Sequence, residues 1–132
     1  MIIKVYQFFV RYKNSLMWAL VILILCGMPS SGLPSIKIPG IDKIMHLGLF
    51  VVFATLLLTE TNVLRVQQKV KRKHQWLSFL LASTYGGLIE LMQQYVFTSR
   101  GADWFDFYAD IVGAVIAVVI YPLINRTLKG YI

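Results

Sequence analysis

One cysteine, Cys26, in 132 residues leaves no disulfide framework. Charge is scarce as well. Asp, Glu, Lys and Arg make up 14% of the chain, against about 25% in a typical soluble domain. A chain this poor in charge and this rich in apolar residues is not disordered. Acidic residues are the scarcest of the charged ones, six against thirteen basic, for a net charge of +7. Such a balance invites a nucleic-acid reading, which the placement of the charges argues against. What is abundant is apolar surface. Hydrophobic residues reach 58%, and much of that surface is expected to face lipid.

Four apolar stretches divide the chain, at about 14–30, 44–62, 76–97 and 104–124. A bilayer-spanning helix needs about 20 mostly apolar residues. The third and fourth stretches reach that length and the first two recruit flanking residues. Together they leave too little polar surface to cover a soluble bundle. The expected fold is therefore all-α, a single domain over 1–132 built as a four-helix transmembrane bundle. Breaker-rich sequence around Pro29, Gly32, Pro34, Pro39 and Gly40 ends the first helix. A signal peptide is the alternative for that helix, since Lys4, Arg11 and Lys13 precede it. It is rejected because no small-x-small site follows, and Leu25 before Cys26 is too large for a lipoprotein site.

The basic residues set the orientation. Lys4, Arg11, Lys13, Arg65, Lys69, Lys71, Arg72, Lys73, Arg126 and Lys129 fall on one side of a four-span arrangement. Only Lys37, Lys43 and Arg100 fall on the other. The positive-inside rule puts both termini and the basic loop 62–75 in the cytoplasm. The run from Lys69 to Lys73 then reads as a topology and anionic-lipid signal rather than a nucleic-acid site.

In that orientation the polar residues of the apolar stretches gather at the outer side. Asp42, Lys43 and His46 open the second helix. Glu90, Gln93 and Gln94 close the third. Arg100 and Asp103 lie in the turn, and Asp106 and Asp110 open the fourth. Asp106, Asp110, Gly113 and Ala117 form one stripe at helical spacing. Gly86 and Gly87, a turn before Glu90, would let helix backbones approach. Ordinary roles suffice for several of these residues. Asp42 reads as an N-cap, Asp106 as a charge favoured by the helix dipole, and Trp18, Trp76 and Trp104 as interfacial anchors. Glu90 and Asp110 are harder to explain that way. A carboxylate inside a membrane is costly and usually functional. Its structural competitor is a polar bridge to Arg100 or His46.

Three segments carry a resemblance. Asp42-Lys43-Ile44-Met45-His46 resembles the D-K-x-x-H opening of the VanZ-like family. Glu90-Leu91-Met92-Gln93 resembles its E-L-x-Q segment. Arg100 through Gly113 resembles its R…D-W-x-D-x-x-A-N-x-x-G segment, with Asp110 where the family usually has Asn. The resemblance implies a small integral membrane protein of the bacterial envelope, and a link to low-level resistance against teicoplanin, a lipid-tailed glycopeptide.

The expected function is binding or chemistry on a lipid-linked or lipoglycopeptide head group at the outer leaflet. His46, Glu90 and Asp110 are the candidate catalytic residues, as acid/base groups. Asp42, Lys43, Gln93, Arg100 and Asp106 are the candidate binding residues, with Arg100 and Lys43 suited to a phosphate or carboxylate. No cofactor is expected, a divalent cation at the Asp, Glu and His residues being the alternative. Expected partners are membrane lipids and a lipid-linked envelope precursor or lipoglycopeptide, not nucleic acid. The competing readings are a non-catalytic protein whose polar cluster only holds helices together, and a small transporter.

Overall fold

The computed structural model describes residues 1–28, 40–62, 71–97 and 103–129. The fold is all-α, and the described residues form five helices: α1 (Ile2–Arg11), α2 (Lys13–Gly27), α3 (Ile41–Asn62), α4 (Arg72–Tyr95) and α5 (Trp104–Lys129). Local sequence accounts for several boundaries. Met28 turns extended at φ −65° and ψ 137°, as a residue before proline favours. Gly40, at φ 79°, supplies the left-handed backbone from which α3 starts.

Four of the five helices match the apolar stretches, and α1 is the addition. It is bent from α2 by 69° at Tyr12 and buries none of its residues. Lys4, Gln7 and Arg11 share one face of it, and Ile2, Val5, Tyr6 and Phe9 take the other. Asp42 lies within the first turn of α3 rather than at its cap.

Helices α3 and α5 run in the same direction and share the most extensive helix contact among the described residues. Small residues allow this. A Cβ on Gly113 would stand 2.5 Å from the Leu47 carbonyl oxygen. Helix α4 runs opposite to both and packs on both, and α2 lies against α3 and α4. The core gathers Phe50, Phe53 and Tyr85 in mutual ring contact, with Ile22, Ile89, Ala82, Ala114 and Ala117 around them. Trp18 is half-buried against this core and donates its indole N–H to the Leu49 carbonyl at 2.9 Å. It is tied into the packing rather than free as an anchor, whereas Trp76 and Trp104 are exposed.

Among the described residues, two segments are long and apolar enough to cross a membrane, Ile41–Thr61 and Trp104–Thr127. Counting the bent pair α1–α2 as one span makes three. Helix α4 falls short because it carries polar residues, of which Ser78, Glu90 and Gln93 face inward. Its buried side is Ser78, Ala82, Gly86, Ile89, Glu90 and Gln93, while Leu77, Leu80, Leu81, Leu88 and Leu91 are exposed. Polar residues inside and leucines outside invert the pattern of a water-soluble helix.

Pro122 sits inside α5. Having no N–H, it cannot bond the Val118 carbonyl one turn earlier. The Gln75 side-chain amide of α4 donates to that carbonyl instead, at 3.1 Å. In a lipid environment a freed backbone group needs such a substitute.

Candidate functional site

One end of the molecule collects the C-terminal ends of α2 and α4 and the N-terminal ends of α3 and α5. There the first turns of α3 put Lys43 and His46 on the side facing α5. The stripe on α5 turns Asp106 and Asp110 back toward them. His46 Nδ1 lies 2.9 Å from Asp110 Oδ1, and His46 Nε2 lies 3.7 Å from Asp106 Oδ2. The imidazole thus stands between two carboxylates of one helix. Lys43 Nζ reaches Asp103 Oδ2 at 3.1 Å and Asp106 Oδ1 at 3.4 Å, nearer the surface. The Lys43 ammonium and the Phe105 backbone N–H together hold the Asp103 carboxyl below the usual carboxylate range.

Helix α4 supplies the third wall. Glu90 is fully buried, and its Oε2 accepts the backbone N–H of Asp103 at 3.0 Å. Asp110 is also fully buried. It fits because Gly86 opposite has no side chain, where a Cβ would meet Asp110 Oδ2 at 2.9 Å. Glu90 Oε1 and Asp110 Oδ2 are buried and have no hydrogen-bond partner among the described residues. Ligand-capable atoms of His46, Glu90 and Asp110 all lie within 4.8 Å of one another. The three candidate catalytic residues, from three helices, therefore meet in one place.

The candidate binding residues divide. Lys43 and Asp106 join the cluster. Asp42 is exposed and makes no hydrogen bond or ion pair to the cluster among the described residues. Gln93 is buried but turns to α2, donating to the Cys26 carbonyl at 3.0 Å. Arg100 lies outside the described residues, so its pairing with Glu90 does too. Asp103, outside the candidate site residues, closes the cluster through both its carboxylate and its amide.

The chain matches the VanZ/LLP1 family over residues 2–125. It belongs to the VanZ-like family. No curated protein and no solved structure matches it. In VanZ-like terms, the D-K-x-x-H segment provides Lys43 and His46. The E-L-x-Q segment provides Glu90 to the cluster and Gln93 to the α2–α4 contact. Where the VanZ-like pattern has Asn, Asp110 contributes one of the two unpartnered oxygens.

A second polar site lies at the opposite end of the bundle. The Glu60 carboxylate of α3 accepts the backbone N–H groups of Asn14 (2.8 Å) and Ser15 (3.1 Å) and the Ser15 hydroxyl. Arg11 donates to the carbonyls of Glu60 and Thr61. The described clefts lie away from the His46–Glu90–Asp110 cluster. An apolar one of about 420 Å³ lies between α2 and the end of α4, lined by Leu23, Ile24, Gly27, Met28, Met92 and Phe97.

Proposed function

We propose that this VanZ-like protein crosses the bacterial cytoplasmic membrane four times, through α2 to α5. Both termini and the basic loop face the cytoplasm, and the His46–Glu90–Asp110 cluster lies at the outer leaflet. There it binds or acts on the charged head group of a lipid-linked envelope precursor or a lipid-tailed glycopeptide, and so confers low-level tolerance to teicoplanin. The observation that carries this reading is the convergence of His46, Glu90 and Asp110 from three helices, with two buried carboxylate oxygens that have no partner among the described residues. Glue between helices would leave those oxygens satisfied. The inward-facing polar side of α4 supports a fourth span despite its lower hydropathy. The resistance link comes from the family alone.

Topology is tested with a reporter that is active only outside the cytoplasm. Fusions after Ser31 or Ser99 should be active, and fusions after Gln68 or Ile132 silent. The reverse pattern would put the cluster on the cytoplasmic side and sink the outer-leaflet reading.

Function is tested by expression in a susceptible Gram-positive host. The wild type should raise tolerance to teicoplanin more than to vancomycin, which lacks the lipid tail. His46→Ala and Glu90→Gln should remove the gain at equal protein level. Full protection by these variants would make the cluster structural. A well-expressed wild type that gives no protection would detach the resistance reading from this chain.

A further inference from the structure

From the geometry of the cluster we infer that His46, Glu90 and Asp110 form a binding site for one divalent first-row metal ion, of the Mn²⁺ or Zn²⁺ type. Three observations carry it. The donor atoms come from three helices and lie within 4.8 Å of one another. An ion with ligand bonds of about 2.1 Å sets its ligand atoms roughly 3 to 4 Å apart, so small side-chain adjustments complete the site. Glu90 and Asp110 are fully buried, and each keeps one oxygen, Glu90 Oε1 and Asp110 Oδ2, without a hydrogen-bond partner among the described residues. A dication would satisfy both oxygens and offset the two carboxylates, which a membrane interior otherwise penalises.

The third observation is the setting of the imidazole. His46 Nε2 faces Asp106 Oδ2 at 3.7 Å while Nδ1 faces Asp110 Oδ1 at 2.9 Å. Metal-bound histidines characteristically direct the other ring nitrogen to a carboxylate, which fixes the tautomer. An ion would replace the proton that Nδ1 now shares with Asp110 Oδ1, releasing it, and would leave Nε2–H facing Asp106. One imidazole and two carboxylates favour an ion that accepts both nitrogen and oxygen over Ca²⁺, which takes oxygen. Lys43, bound to Asp103 and Asp106, stands nearer the surface. A head-group phosphate or carboxylate would meet the ion and the ammonium together. Only this use of the metal rests on the proposed function.

The test is made on full-length protein in detergent micelles, stripped with a chelator, loaded with Mn²⁺ and desalted, with no head group present. The wild type should retain a single equivalent of Mn²⁺ and show nitrogen coupling in its pulsed EPR spectrum. His46→Gln should abolish that coupling, and Glu90→Gln and Asp110→Asn should each weaken retention at least tenfold. Asp106→Asn should weaken it by about 10- to 100-fold, as loss of a supporting carboxylate does. A wild type that retains no Mn²⁺, and no Zn²⁺ in a parallel loading, would overturn the inference. So would retained Mn²⁺ without nitrogen coupling, and this reading needs no variant to fold. Failure here leaves the teicoplanin comparison standing, and failure there leaves the metal site standing.

Discussion

Gly113→Ala should lower the thermal unfolding midpoint of the detergent-solubilised protein, and Gly113→Leu should prevent a stable fold. A Cβ at this position would lie 2.5 Å from the Leu47 carbonyl oxygen and 3.2 Å from the Val51 nitrogen. Both are backbone atoms of α3 and cannot swing aside as a side chain would. The helices must separate, and overpacking of this kind costs about 1–3 kcal/mol. The site would suffer with the fold, because the same seam sets the 2.9 Å approach of His46 to Asp110. Gly48→Ala is the matched control. No described residue lies within 4 Å of a Cβ there, and replacing a mid-helix glycine by alanine gains roughly 0.5–1 kcal/mol. A Gly113→Ala protein that unfolds like the wild type would mean that α3 and α5 are not in close contact.

Glu60→Ala should loosen the start of α2. The Glu60 carboxylate takes the amides at the second and third positions of that helix, which need acceptors at any helix start. Without it the buried Ser15 amide and hydroxyl lose their acceptor, and each unsatisfied buried group costs about 1–3 kcal/mol. Glu60→Gln keeps one carbonyl oxygen and should fall between the wild type and alanine. Hydrogen exchange at Asn14 and Ser15 reads this locally, with faster exchange expected in Glu60→Ala. Unchanged protection of those two amides would show that the contact contributes nothing.

Much of the polar end was legible because spacing reveals which residues share a face. Asp106, Asp110, Gly113 and Ala117 were assigned one stripe, and Asp110, Gly113 and Ala117 are buried together. Gly86 was read as a point of close approach, and it makes room for Asp110. Spacing does not reveal which neighbour a face meets. Gln93 shares the buried side of α4 with Glu90 yet serves α2. The Gln75 bond to the Val118 carbonyl and the Glu60 contact with Ser15 join residues 43 and 45 positions apart, which no local pattern links. Helix α1 had a readable signal in Lys4, Gln7 and Arg11 at i, i+3 and i+7. Lys4 and Arg11 enter topology and signal-peptide reasoning only as charges and Gln7 not at all, so the face they share goes unread.

The contact between Glu60 and α2 has a consequence for biosynthesis. Glu60 leaves the ribosome 45 residues after Ser15, a delay of about two to nine seconds at typical elongation rates. Throughout that interval α2 exists without the carboxylate that closes its first turn. The smallest piece of nascent chain with those amides satisfied is the hairpin of α2 and α3. Synthesis therefore completes α2 only when α3 has followed it, and a stall between the two would hold α2 in its least stable form.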